Sequence, residues 1–297
     1  MSEATAILEA VERSPEEKPA VSARLTAKRH ATHTSVVLVG DVAIGGDTPV
    51  VIAGPCSVES REQLLTAAQG VKAAGATLLR GGAYKPRTSP YDFQGLGLEA
   101  LLILREVSEV TGLPVVSEVM STDDIEVVSD HVDMLQVGAR NMQNFPLLRR
   151  LGKLRRPVLL KRNPAVTVKE WLLAAEYILA GGNDQVVLCE RGIRSYDPDL
   201  RNTLDIGGMA LAKTLTHLPV IADPSHATGR RDLVPAVSRA ALAAGADGLM
   251  VEVHPHPERA LSDGAQSLDL DGFATMMLQL KPIIRQESSV RATASLY

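Results

Sequence analysis

The sequence predicts a (β/α)8 barrel, an α/β fold, from three observations. From residue 50 onward one unit repeats: a short apolar run, a turn rich in Gly, Pro or Ser, then ten to fifteen amphipathic residues. The runs are apolar on both faces, as expected of parallel strands covered by helices. Eight such units span about 250 residues, the usual length of a closed eight-stranded barrel. The alternative at this level is an open, doubly wound sheet.

The eight strands are predicted at 50–53, 77–80, 115–118, 134–137, 158–161, 185–188, 220–223 and 248–251. Ser60 with Gln63 and Thr167 with Glu170 have capping-box spacing, so each pair is predicted to open a helix. Gly75, Gly112, Gly181 and Gly245 each follow a helical stretch and are predicted to close its last turn in left-handed geometry. The string Ala-Ala-Gly-Ala occurs at 73–76 and again at 243–246, which predicts one shared turn before two different strands. Ahead of the barrel, 36–39 and 41–44 flank Gly40 as a hairpin expected to cap the barrel bottom. Residues 1–35 lack periodicity and are expected to be a flexible tail, so that 36–297 forms the single catalytic barrel.

Composition removes several classes of function. Apolar residues make up 45% and charged residues 22%, and the net charge of -4 is ordinary for a globular protein. Aromatics are only 3% and no Lys/Arg block tracks a phosphodiester backbone, so no nucleic-acid partner is expected. No apolar run reaches the 18 or so residues of a membrane span, and the acidic start does not read as a leader. Two cysteines, Cys56 and Cys189, cannot build a disulfide framework. These features fit a soluble, cytoplasmic protein with no membrane partner.

The chemistry of such barrels sits at the C-terminal strand ends, where eight loops converge. There the sequence places Cys56, then Arg80 with Lys85 and Arg87, then Glu118, Arg140, Lys161, Arg191, His226 and Glu252, with Asp263 in the loop beyond. A concentration of Arg and Lys at one end of an acidic chain calls for anionic substrates. Cys56, His226, Glu252 and Asp263 have no local ligand spacing, and only the fold brings them together. Their mixed sulfur, nitrogen and oxygen set suits one divalent ion such as Mn, Fe, Co or Zn, and argues against Mg or Ca. Plainer readings apply elsewhere. Cys189 reads as packing, Trp171 as a helix-packing residue, and His254 and His256 as loop residues. Arg149, Arg150, Arg155 and Arg156 read as a solvated face or as caps on a helix C-terminal dipole, while Arg162 and Arg194 are candidates for ion pairs.

The motifs VIAGPCSVES, LRGGAYKPRTSPYDFQGLG, QVGARNMQN, LLKRNP, CERGIRSY, ADPSHATGRRDLV, MVEVHP and LSDGAQSL, in this order, resemble 3-deoxy-D-arabino-heptulosonate-7-phosphate (DAHP) synthases of the compact branch, across roughly residues 35–285. The resemblance implies condensation of phosphoenolpyruvate with erythrose 4-phosphate, with release of phosphate, at the entry to the shikimate pathway. It implies metal ligation by Cys56, His226, Glu252 and Asp263. It also implies a phosphoenolpyruvate site of Arg80, Lys85, Ala139, Arg140, Lys161 and Arg191, and an erythrose 4-phosphate site of Pro86, Arg87, Thr88 and Ser89 beside Asp263. Glu118 resembles the acid beside phosphoenolpyruvate. Metal-bound water, Glu118 and Lys85 stay open as activators of the attacking water. The alternatives are the sister 3-deoxy-D-manno-octulosonate 8-phosphate synthase, which takes arabinose 5-phosphate and resembles a K-A-N-R-[TS] rather than a KPRTS loop, or a catalytically silent phosphate-binding barrel. Family habit implies a homo-oligomer, dimer or tetramer. The nondescript N-terminal 35 residues imply weak or no intrinsic feedback by aromatic amino acids unless a separate partner such as a chorismate mutase supplies it.

Overall fold

The computed structural model describes residues 24–87 and 89–294. Thr88 and residues 1–23 of the expected tail lie outside them. Eight parallel strands close into a barrel: β3 (Val50–Gly54), β4 (Leu78–Arg80), β5 (Val115–Glu118), β6 (Met134–Val137), β7 (Val158–Lys161), β8 (Val186–Glu190), β9 (Val220–Ala222) and β10 (Gly248–Glu252). The seam closes where β10 pairs with β3 from Gly248↔Val50 to Glu252↔Gly54. The (β/α)8 expectation therefore holds, with strand ends shifted by up to two residues. The largest shift draws Cys189 and Glu190 into β8.

The hairpin is present as β1 (Val37–Val39) and β2 (Val42–Ile44), antiparallel about Gly40. Val37, Val39 and Ile44 are fully buried against Val50, Ile52, Met134 and Met250 inside the barrel, while Leu38 points to solvent. The hairpin thus plugs the N-terminal end and leaves the opposite rim for chemistry. A second apolar layer lies between strands and helices.

Helix ends follow local chemistry. In α1 (Arg61–Ala74) Gln63 N donates to Ser60 Oγ, but the Gln63 side chain accepts from Glu59 N, closing the box one residue early. The helices α2 (Leu98–Thr111), α3 (Ile125–Ser129) and α4 (Phe145–Leu151) follow. Then α5 (Val168–Leu179) opens with a full Thr167–Glu170 box. Farther on come α6 (Ile206–Leu215), α7 (Pro224–Thr228), α8 (Val234–Ala243) and α9 (Leu270–Ala294). The two Ala-Ala-Gly-Ala turns are alike: Ala76 N donates to Val71 O and Ala246 N to Ala241 O, each six-to-one closure following a left-handed glycine. Gly181 is a correction. The left-handed residue after α5 is Gly182, with φ 101, whereas Gly181 packs on Gly152, where a Cβ would lie 2.6 Å from that backbone.

Residues 24–35 correct the extent of the tail, since they are tied to the barrel. Glu176 Oε1 accepts from Leu25 N, Thr26 N and Thr26 Oγ1 at 2.8, 2.7 and 2.9 Å. Thr216 Oγ1 donates to Thr26 O at 2.6 Å, and Ala27 bridges Thr216. Among the described residues no helix is long and apolar enough to cross a membrane.

Candidate active site

Cys56 follows β3 through Gly54, whose φ of 150 is barred to most side chains and where a Cβ would lie 2.2 Å from Arg80 O. Glycine therefore lets β3 turn inward at the seam and bury Cys56. Glu252 ends β10. His226 sits on α7, whose cap is Asp223: Oδ1 accepts from His226 N at 2.9 Å. Asp263, with φ 53, is the one non-glycine residue in left-handed geometry among the described residues, and that conformation turns its carboxylate toward the seam. One ligand atom from each of Cys56, His226, Glu252 and Asp263 lies within 4.8 Å of every other. Cys56 Sγ is 3.1 Å from Asp263 Oδ2, and His226 Nε2 is 3.3 Å from Glu252 Oε1.

The electrostatics fit a divalent cation. Burial pulls the His226 imidazole down to about 4, against the pull of Asp223 and Glu252, so it is neutral. Burial alone would raise Asp263, but His226 and Arg201 hold it at about 2. Glu252 is likewise lowered by His226 and Arg80 in spite of burial. Burial and the neighbouring Glu252 push the Cys56 thiol up to about 12, with Lys85 Nζ opposing them from 2.9 Å. Two carboxylates, a neutral imidazole and a sulfur beside a lysine make the donor set of a borderline metal ion.

Four buried side-chain polar atoms lack an aligned hydrogen bond among the described residues: Arg80 Nε and Nη1, His226 Nδ1 and Glu252 Oε1. All four are at this site. Unpaired buried donors and acceptors are costly: the Arg80 N–H groups are ones an anion would satisfy and Glu252 Oε1 one a cation would, while His226 Nδ1 lies 2.8 Å from Asp223 Oδ2.

Above the cluster opens a cleft of about 600 Å³. Arg80, Lys85, Pro86, Arg87, Glu118, Ala139, Arg140, Lys161, Arg191, His226 and Asp263 all line it, so the structure gathers nearly every residue that the strand ends pointed to. Lys161 Nζ is 2.6 Å from Asp223 Oδ2. Arg140 Nη1 donates to Pro86 O at 3.1 Å, and Arg87 Nη1 to Ser262 Oγ at 2.8 Å. Gln136 Nε2 donates to Glu118 Oε2 at 3.1 Å. The Ser89 hydroxyl accepts from Tyr91 N at 3.2 Å, a turn within its own loop that leaves the hydroxyl proton free to donate.

Several plain readings hold. Cys189 is packed inside the barrel, Trp171 is buried and donates to Leu160 O, and Arg162 pairs with Glu190 and Asp205, each at 2.9 Å. Arg194 instead lines the cleft. His256 is exposed, but His254 is buried 3.3 Å from Glu59 Oε2, while Glu59 Oε1 accepts from Leu261 N, so this pair anchors the loop that carries Asp263. Strand-end reasoning also passed over Arg201, Asn202 and Asn163, which line the cleft, and Gln266, which donates to Glu252 Oε2 at 2.6 Å and accepts from Arg201 at 2.9 Å. A cation in the loop after β8 was the available signal for Arg201.

Comparison with known proteins places this geometry. The chain is 50% identical over 260 residues to phospho-2-dehydro-3-deoxyheptonate aldolase of Thermotoga maritima, covering 88% of this chain and 77% of that protein. A crystal structure of phospho-2-dehydro-3-deoxyheptonate aldolase (DAHP synthase) from that organism superposes with a TM-score of 0.86 at 48% identity, over 89% of this chain and 78% of the other. More distant is 2-dehydro-3-deoxyphosphooctonate aldolase of Syntrophotalea carbinolica, 36% identical over 264 residues, which are 82% of this chain and 94% of that protein. Residues 21–286 match the family described as DAHP synthetase I, and the chain belongs to that family.

Proposed function

We propose that the chain condenses phosphoenolpyruvate, erythrose 4-phosphate and water into 3-deoxy-D-arabino-heptulosonate 7-phosphate and inorganic phosphate, the first step of the shikimate pathway. The observation that carries this reading is the convergence of Cys56, His226, Glu252 and Asp263 beneath a cleft in which Arg80 presents unpaired N–H groups. A divalent ion held by those four side chains, Mn, Fe, Co or Zn, would supply Lewis acidity to the aldehyde oxygen of erythrose 4-phosphate.

The chain's own residues do the rest. Arg80 and Lys85 grip the carboxylate of phosphoenolpyruvate, and Arg140, Lys161 and Arg191, with the backbone at Ala139, hold its phosphate. Their fixed positive charge stabilises the anionic groups as phosphate departs. Pro86, Arg87, Thr88 and Ser89 form the loop that receives the second phosphate, with Asp263 at the acceptor's aldehyde end. Glu118, held by Gln136, lines the same cleft, and Glu118, Lys85 and a water on the ion are the candidates to activate the attacking water.

The catalytic unit comprises residues 36–297 with the 24–35 segment laid against it. The chain acts in the cytoplasm as a homo-oligomer, dimer or tetramer; apolar side chains left on the surface, among them Leu98 and Leu102 one turn apart on α2, support the association. Feedback by aromatic end products would then come from a separate partner such as a chorismate mutase. Light scattering of the pure chain, with and without that enzyme, tests both statements.

The deciding assay is phosphate release from phosphoenolpyruvate with erythrose 4-phosphate or with arabinose 5-phosphate, before and after chelation. Release with the four-carbon sugar that stops on chelation and returns with metal supports the proposal. Preference for arabinose 5-phosphate would move the chain to the sister reaction, and no release with either sugar would make it a silent phosphate-binding barrel.

A further inference from the structure

Asp223 follows β9 and is completely buried, with both carboxylate oxygens engaged. Oδ1 accepts from His226 N at 2.9 Å, while Oδ2 lies 2.6 Å from Lys161 Nζ and 2.8 Å from His226 Nδ1. One oxygen is therefore shared between the lysine assigned to the phosphate of phosphoenolpyruvate and the imidazole assigned to the metal. The sharing is unequal. Lys161 has the shorter, aligned bond, and His226 Nδ1, although close, is left without an aligned partner.

We propose that Asp223 is a positioning residue that couples the phosphate site to the metal site through this shared oxygen. When a phosphate draws Lys161 toward the cleft, Oδ2 is free to align with His226 Nδ1. The ring is then locked with Nε2 toward Glu252 and Asp263, and its donor strength rises because the carboxylate charge falls on the opposite nitrogen. Coupling of this kind is reciprocal, so a cation at Nε2 loosens the hold of Asp223 on Lys161 and tightens phosphate binding by the same factor. This inference rests on the metal and phosphate assignments made above.

A double-mutant cycle on Co2+ affinity, read by the absorption of the cobalt–thiolate bond without turnover, tests it. Asp223→Asn should weaken Co2+ binding about 10- to 100-fold, as loss of a partner to a ligating histidine does. Lys161→Gln should strengthen Co2+ binding in the wild-type background and change nothing in the Asp223→Asn background. Equal strengthening in both backgrounds would mean that Lys161 repels the ion directly, and the coupling would be wrong. Should Asp223→Asn fail to fold, as judged by circular dichroism, the His226 Nδ1–H proton resonance of the metal-free wild type must move downfield on addition of inorganic phosphate, as its bond to Asp223 aligns, and an unmoved resonance overturns the proposal. Absence of Co2+ binding by the wild-type chain would sink the metal assignment itself, an outcome separate from an additive cycle.

Discussion

Gly138 follows β6 with no side chain because Glu118 occupies the space: a Cβ there would lie 2.1 Å from Glu118 Oε1. Glu118 is only half-buried, so in Gly138→Ala it escapes into the cleft and the backbone need not give way. The expected outcome is a loss of about 100-fold in kcat/KM, the usual cost of a misplaced catalytic group, with a small change in Tm. Kinetics and melting curves measured on one preparation check that split. At Cys56 the prediction concerns pH. The thiol, raised to about 12, keeps its proton at neutral pH and must release it to bind a metal, whereas His226, at about 4, is already neutral. Apparent metal affinity should therefore rise about tenfold per pH unit near neutrality, with about one proton released per ion. Calorimetry in two buffers of different ionisation enthalpy measures the proton count, and a count near zero contradicts the prediction. Residue identity at strand ends made most of this site legible. Arg201 and Gln266 were not, because they lie deep in loops whose path no local pattern describes.

Elements show where local chemistry decides and where it does not. The hairpin was legible from alternation around Gly40, and its burial pattern makes a clear prediction. Ile44→Ala, facing the barrel interior, should cost about 2–5 kcal/mol, whereas Leu38→Lys on the open face should stay within about 0.5 kcal/mol in urea unfolding. Three of the four helix-closing glycines follow the rule for left-handed turns. Gly181 does not, since its lack of a side chain serves contact with Gly152, and contact between two helix ends is invisible to a pattern within one of them. The attachment of residues 24–28 was equally hidden, because Glu176 lies some 150 residues away in sequence.

For the molecule as a whole, the four side chains proposed as metal ligands straddle the closing seam of the barrel. Cys56 follows β3, Glu252 ends β10 between β3 and β9, His226 follows β9, and Asp263 lies beyond β10. A bound ion therefore cross-links the first and last barrel strands. At 100 times its dissociation constant an ion should stabilise the fold by about 2.7 kcal/mol. Calorimetric scans should show Tm rising with added Mn2+ or Co2+ in the wild type and most of that rise lost in Cys56→Ala. An equal rise in both would place the ion elsewhere.

Strand number, the order of the repeat and the residues at the strand ends were determined by the sequence alone, because apolar periodicity, helix caps and turn glycines act over a few residues and are written in adjacent positions. Only the tertiary structure decided that Cys56 and Asp263, about 200 positions apart, meet at 3.1 Å, that Asp223 stands between Lys161 and His226, and that residues 24–35 lie against the barrel. Those contacts depend on how the sheet closes, and closure brings together residues whose separation along the chain carries no trace of their distance in space.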